Sequence, residues 1–252
     1  MHLPAATRPG CLAWASLCLS VRQIWRVALI LAATVWLPAM AQVGPSAADV
    51  ARYTGLHAAA HSGDVALMER LLAASGIRQQ DLTARDAAGR TPLHVATFAR
   101  QRGALRALAR AGANLELLEN DRYDAITIAS VADDEEALRL LLSLGASAKL
   151  TTSRYDGTAL IAAAHLGHDG VVKQLIGAGA PLDHVNNLHW TALIEAIVLG
   201  NGGARHQEVV RALLAAGANT QLADRSGATP LQLAKTRGYR EMVLMLERVG
   251  AR

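Results

Sequence analysis

Two short landmarks recur in phase along this chain, and their recurrence limits the fold more than any other feature. The first is a Thr-x-Leu tetrapeptide: Thr91-Pro92-Leu93-His94, Thr158-Ala159-Leu160-Ile161, Thr191-Ala192-Leu193-Ile194 and Thr229-Pro230-Leu231-Gln232. Degenerate copies are Thr54-Gly55-Leu56-His57 and Asp124-Ala125-Ile126-Thr127. The second is a Gly-Ala pair that follows each copy, at Gly112, Gly145, Gly179, Gly217 and Gly250, with the looser Gly76-Ile77 as the first case. Gly112 to Gly145 is 33 residues and Gly145 to Gly179 is 34. A fixed period of this size means a stack of equal units, each unable to bury its apolar face alone and each covered by its neighbours.

Composition agrees with a stack of thin helical layers. The chain has 252 residues, 52% of them apolar and 18% charged, which excludes an intrinsically disordered polypeptide. Aromatics make up only 4%, with a single Phe, so the core must come from Ala, Leu, Val and Ile. Each landmark residue has a physical task in such a unit. The Thr hydroxyl caps a first helix by accepting a backbone N–H. Pro fits the first helical position, where its missing donor costs nothing. The Leu starts the contact between units. Pairs such as Ala59-Ala60 and Ala163-Ala164 let helices approach closely, and Val171, Val172, Leu175 and Ile176 supply the bulk of a second helix. The Gly after that helix takes the left-handed conformation that ends it.

The pattern resembles the ankyrin repeat, a β-turn plus two helices with a T-P-L-H-x-A signature. The stretch from Asn186, NNLHWTALIEAIVLG, is similar to small exported bacterial ankyrin proteins. The resemblance implies an all-α solenoid of helix-turn-helix units with β-turn or hairpin fingers. Six repeats are expected, at about 54–85, 86–118, 119–150, 151–185, 186–223 and 224–252. A capping segment over 42–53 precedes them, in which Ser46 and Asp49 have capping-box spacing. End repeats need polar outer faces, and the last supplies Arg237, Arg240, Glu241, Glu247 and Arg248.

Residues 1–41 read as a signal peptide. Arg22 and Arg26 precede the uncharged run Val27 to Leu37, and Pro38 leads to Ala39-Met40-Ala41. That is a basic region, an apolar region and an A-x-A cleavage site, with cleavage expected after Ala41. The apolar run is shorter than the ~20 residues that span a bilayer, so no stable membrane insertion is expected after cleavage. Residues 1–20 are long for a basic region, and a compact signal would begin near Val21. Cys11 and Cys18, the only cysteines, fall inside this segment, so the body forms no disulfide and no thiolate zinc site. The expected location is periplasmic or secreted. Of 25 basic residues, Arg8, Arg22 and Arg26 lie here with no acid, so the +4 net charge falls to about +1 in the body. A nucleic-acid partner would need a basic stripe that survives this subtraction.

The pattern breaks twice. Repeat 5 carries an insertion of about five residues between its helices, Gly200-Asn201-Gly202-Gly203-Ala204-Arg205-His206-Gln207, read as a tolerated loop or a binding loop. It lacks P-loop spacing. Repeat 3 lacks the motif Pro and His, and Arg122 stands where its turn should have Gly. Its weaker motif predicts lower local stability. Its second helix opens with Asp133-Asp134-Glu135-Glu136, opposite Arg100, Arg102, Arg106 and Arg110 of the preceding repeat, which predicts charge pairing between repeats.

Catalytic and cofactor signatures do not emerge. His57/His61 and His165/His168 have metal-compatible spacings, but His57 occupies the motif position and His168 the usual Gly-His turn. There is no H-E-x-x-H, G-x-S-x-G or cysteine nucleophile. No metal, cofactor or catalytic residue is expected. The resemblance instead implies a concave face of turn tips and first helices that binds protein. The resemblance also implies that the position before each motif residue points into that groove; here it holds Tyr53, Arg90, Tyr123, Gly157, Trp190 and Ala228, with Tyr155 on the neighbouring turn. Tyr, Trp and Arg are the residue types enriched in binding hot spots. Behind them the first-helix column includes His61, Phe98 and His165, and Glu195 is expected as a lone acid in the groove. The expected function is that of an exported, monomeric module that binds an unidentified protein partner. A narrower role as an accessory or immunity-like factor for one envelope enzyme is the alternative. Hydrolysis of a wall or surface polymer is the reading from another class.

Overall fold

The computed structural model describes residues 42–74 and 79–251. The proposed signal segment and the first Gly landmark, Gly76, lie outside the described residues. The body, Gln42–Arg252, is one compact unit. It begins with a one-turn helix α1 (Ala47–Val50), followed by six helix pairs. The pairs are α2 (Gly55–Ser62) with α3 (Val65–Ala73), α5 (Pro92–Phe98) with α6 (Arg102–Arg110), and α7 (Ala125–Val131) with α8 (Glu135–Ser143). Then come α9 (Ala159–Leu166) with α10 (Asp169–Gly177), α11 (Ala192–Val198) with α12 (Ala204–Ala215), and α13 (Pro230–Arg237) with α14 (Arg240–Arg248). A short α4 (Gln79–Leu82) links the first two pairs. First helices pack on first helices of adjacent repeats, and second on second. The architecture is a helical solenoid whose six units match the six landmark copies.

One continuous core runs through the stack, built from small and aliphatic side chains. Ala59, Ala60, Ala96, Ala163, Ala164 and Ala234 are fully buried where first helices meet. Leu105, Leu108, Leu138, Leu141, Val171, Leu175, Val209 and Leu213 fill the layer between second helices. Of the residues that the sequence singles out, Ala59, Ala60, Ala163, Ala164, Val171, Val172 and Leu175 are buried, and Ile176 packs partly buried against this core.

The capping chemistry varies with the motif. The hydroxyls of Thr158, Thr191 and Thr229 accept the N–H three residues on, at the starts of α9, α11 and α13. Thr54 makes no such bond. Asp124 replaces Thr in repeat 3, and its carboxylate accepts Thr127 N–H at 2.8 Å. In repeat 2 the motif His does part of the work. Thr91 N–H donates to His94 Nδ1 at 3.1 Å, which leaves His94 Nε2 carrying the proton that it donates to the Leu117 carbonyl at 2.9 Å. Burial holds His94 down to about 4, so it is a neutral cap.

Between repeats, each first helix is preceded by a finger. Only in repeat 4 does the described finger form a two-stranded antiparallel hairpin, Thr151–Thr152 with Gly157–Thr158. In every finger of repeats 2 to 6 the tip has a left-handed residue. Gly89 and Gly227 take φ +75° and +83°, and Arg122, Asp156 and His189 adopt φ +66°, +52° and +64° at the corresponding place. Arg122 thus accepts the left-handed backbone at a cost of about 1–2 kcal/mol, and its carbonyl accepts Ser153 N–H from the next finger at 2.9 Å.

The expected charge pairing across repeats 2 and 3 forms in part. Asp134 caps α8 and receives Arg102 and Arg100, the latter at 3.6 Å. Asp133 faces the other way. Arg205, two repeats on, donates to Asp133 at 2.8 and 3.1 Å and to Asp169 at 3.1 Å. Arg106 and Arg110 are exposed and make no ion pair with a described residue.

The repeat 5 insertion is not a free loop. Part of it extends α12 to 12 residues, against 9 in the other second helices. Asn201 accepts Gly203 N–H at 2.9 Å and lies 3.0 Å from His206 Nδ1, while His206 Nε2 lies 2.9 Å from the His165 carbonyl. From repeat 6, the Tyr239 hydroxyl donates to the Gly200 carbonyl at 2.8 Å. The Tyr239 ring lies so close to Gly202 that an added Cβ would sit 2.6 Å from it.

Candidate protein-binding groove

A side chain outside the recurring landmarks organises each finger. It stands five residues before the motif residue that caps the first helix, and its oxygen accepts the N–H groups that close the turn. Asp86 accepts Ala88 and Arg90 N–H at 2.9 and 2.8 Å. Glu119 accepts Tyr123 N–H at 3.1 Å, and Ser153 accepts Tyr155 and Gly157 N–H at 3.2 and 3.3 Å. Asn186 accepts Leu188 and Trp190 N–H at 3.0 and 2.9 Å, and Asp224 accepts Ser226 and Ala228 N–H at 2.9 Å each. The spacing was available in the sequence. The residue type varies, and only the presence of an acceptor oxygen is common to all five. Successive fingers are then tied together: Asn120 N–H donates to the Ala88 carbonyl and Asn187 N–H to the Tyr155 carbonyl, both at 3.0 Å.

These fingers set the aromatic row. Tyr123, Tyr155 and Trp190 are half-buried on three consecutive fingers. Among the described aromatics, Tyr53 and Tyr239 pack on the apolar core, and Phe98, Tyr123, Tyr155 and Trp190 stand outside it. Burial, with the nearby charges of Asp121 and Glu119, pushes the Tyr123 phenol above its usual range. Beside Trp190 on the same finger, Val185 and Leu188 are exposed.

Tyr53 behaves differently. Its hydroxyl donates to Asp86 at 2.7 Å, and its ring centroid lies 5.5 Å from His57 and 6.2 Å from His61. Burial and the Asp86 carboxylate push the phenol up to about 12, so it stays a donor. Tyr53 ties repeat 1 to the finger of repeat 2, and half-buried His61 lies under it.

Two expected groove residues are not presented to a partner. Arg90 is 6% exposed. Its guanidinium donates to the Val43 carbonyl at 2.8 Å, lies 3.4 Å from Asp86 and 3.6 Å from Asp49, and sits 5.5 Å above the Phe98 ring. The segment ahead of α1 covers it, a contact 47 residues away in sequence. Glu195 is 5% exposed and is not a lone acid. Its carboxylate accepts Asn186 Nδ2–H at 2.8 Å and lies 3.4 Å from His165 Nδ1. Burying a carboxylate is costly unless polar groups compensate it, and Glu195 has the Asn186 amide as a donor and the His165 imidazole beside it. His165 remains about one-third exposed on the groove floor. The arrangement from repeats 3 to 5 is therefore three aromatic tips over a floor with one anchored imidazole.

The histidine pairs with metal-compatible spacing are engaged separately. His57 Nε2 lies 2.9 Å from the Arg90 carbonyl, and His168 Nδ1 lies 2.9 Å from the Ser130 carbonyl. Among the described residues, no group of three or more His, Asp or Glu could hold a metal ion. None of the described helices is long and apolar enough to cross a membrane.

Comparison with known proteins bears on this geometry. A family model for ankyrin repeats matches three times, over residues 33–119, 126–205 and 160–251. The putative ankyrin repeat protein YahD of Escherichia coli is 34% identical over 194 residues, covering 77% of this chain and 94% of that protein. The solved ankyrin repeat domain from Acinetobacter baumannii superimposes with a TM-score of 0.73 at 45% identity, over 78% of this chain and 98% of that one. A chain in the structure of a predatory endopeptidase from Bdellovibrio bacteriovorus in complex with an immunity protein gives a TM-score of 0.60. Its identity is 25%, over 78% of this chain and 98% of that one. Six in-phase repeats, the helix-pair stack and these likenesses agree: the chain belongs to the ankyrin-repeat family.

Proposed function

We propose that this chain is an exported protein-binding module, without catalytic activity of its own, that holds one polypeptide partner against the fingers of repeats 3 to 5. The observation that carries the reading is the row of Tyr123, Tyr155 and Trp190, half-buried on consecutive fingers and outside the apolar core. Core packing does not account for three large aromatics at these positions, and such side chains supply much of the binding energy at interfaces. Exposed Val185 and Leu188 extend the apolar surface at Trp190. Ankyrin repeats are interaction modules, which supports a partner over a substrate.

Export rests on the sequence of residues 1–41, and intact-mass analysis of envelope protein should find a chain beginning at Gln42. A full-length species in the membrane fraction would refute it. The narrower reading, an immunity-like or accessory factor for an envelope enzyme, draws support from the likeness to a chain of the Bdellovibrio endopeptidase–immunity protein complex.

Affinity capture from an envelope extract tests the binding face. Trp190→Ala should weaken capture of the partner at least tenfold, since truncating a central aromatic anchor costs ~2 kcal/mol or more. The melting temperature should change little. If the substitution unfolds the array and spares affinity, Trp190 is a packing residue and the reading fails.

A further inference from the structure

The first-repeat end of the groove is already filled. Residues 43–50 run from an extended segment into α1 and lie over the finger and first helix of repeat 2. The Val43 carbonyl accepts Arg90 at 2.8 Å. Gly44 faces Phe98 closely enough that an added Cβ would sit 3.4 Å from the ring. The Asp49 carboxylate lies 3.6 Å from Arg90. Under this cover lies an Arg–aromatic stack of the kind found in interface hot spots.

The cover itself is lightly held. The Val43 side chain is 73% exposed, and α1 buries none of its residues. No apolar side chain of residues 43–50 enters the continuous core. Asp49 stands at the place where the other repeats carry the turn-closing acceptor, five before the motif Thr, yet its carboxylate binds Ser46 N–H at 3.0 Å and Arg52 at 2.6 Å. Repeat 1 thus has a strap in place of a finger, joined to the body by polar and backbone contacts. Segments with few buried apolar contacts open at low free energy while the core stays closed.

We propose that residues 43–50 are a displaceable strap, occupying a peptide-binding subsite built from Arg90, Phe98 and Asp86. The strap's own chemistry defines what the subsite takes: an extended partner segment with a carbonyl for Arg90, a small residue over Phe98 and a carboxylate about six residues on. The inference deepens the binding reading by adding a gated end to the open surface of repeats 3 to 5.

The test needs no knowledge of the natural partner. The probe is a fluorescent synthetic peptide of residues 42–52, and the protein is the body from Gln42 onward, the compact unit described above. In the released variant Asp49→Lys, the carboxylate bonds to Ser46 are lost and the charge pair to Arg90 becomes a repulsion. A tethered strap has an effective concentration on the order of 1 mM, so the unmodified body should resist the probe. The released variant should bind it at least tenfold more tightly, and Arg90→Ala in the released background should abolish that gain. A released variant that binds the probe no better than the unmodified body overturns the proposal.

Hydrogen exchange on the unmodified body tests the same strap independently, should the variant fail to fold. The amides of Val50, Ala51 and Arg52 should exchange at least tenfold faster than those of Val95 and Ala99 in repeat 2. Equal rates would mean that the strap opens only with the core, which also overturns the proposal. Both readouts use this chain's own segment. Failure of partner capture at Trp190 would therefore leave them untouched, and their failure would leave the open face of repeats 3 to 5 intact.

Discussion

Asn186 joins the finger of repeat 5 to the buried carboxylate of Glu195, and converting it to an acid should make the fold pH-dependent in a calculable way. Asn186 is 4% exposed. Its Oδ1 accepts two backbone N–H groups, and its Nδ2–H donates to Glu195 Oε1 at 2.8 Å. Asn186→Asp keeps both backbone bonds and replaces the donor by a second carboxylate oxygen facing the first. Two buried anions at that distance do not coexist, so the folded state binds one proton, which restores the hydrogen bond. An unfolded Asp ionises near 3.9, and each pH unit above that value costs ~1.4 kcal/mol to keep the proton. The variant should therefore be less stable than the parent at pH 7 by up to about 4 kcal/mol, with the imidazole of His165, 3.4 Å from Glu195, as the competing site for the proton, and nearly equal to it at pH 4. The sign follows from proton counting: the folded variant holds a proton that the unfolded chain releases, so stability falls as pH rises. Urea unfolding of both proteins at half-unit steps from pH 4.5 to 7.5 measures the difference. A stability difference flat across that range would refute the reasoning. It would mean that Glu195 turns away to solvent and that the finger does not depend on this contact.

Two further substitutions probe other joints of the array. His94 is held neutral, with its pKa lowered to about 4, so the stability it contributes is complete above about pH 6.5 and declines as pH falls toward 4. His94→Gln should remove up to ~3 kcal/mol of that acid sensitivity, read as a flatter unfolding midpoint between pH 6.5 and 4.5. Tyr239→Phe deletes the hydrogen bond to the Gly200 carbonyl and should cost about 1 kcal/mol, with faster hydrogen exchange at Gly203 and Gln207 as its local signature.

The repeat architecture was legible because its landmarks are tied to backbone tasks that few residues perform. Thr or Asp caps the first helix in most repeats, and Gly follows the second. Leu and Ala positions follow, since the period fixes which face meets the neighbour. The groove was legible only where it is periodic. Tyr123, Tyr155 and Trp190 lie on the fingers as their register predicts. Arg90 has the same register but is covered by a segment that precedes the periodic part, and a period carries no information about what lies outside it. Glu195 looked solitary because Asn186 and His165 approach it only after folding, nine residues back and one repeat away. Arg205 looked like one charge in an inserted loop. Its reach to Asp133, 72 residues earlier, depends on the added turn of α12.

That reach changes what kind of chain this is. In an ideal stack each unit feels only the units on either side, so copies can be removed or added with a local effect. Arg205 joins the third, fourth and fifth units at once, through Asp133 and Asp169. Excising the fourth would leave the guanidinium one carboxylate short and bring Asp133 into the place that Asp169 now holds. The middle of the chain is therefore coupled beyond nearest neighbours, by about 1 kcal/mol or less for each of these exposed ion pairs.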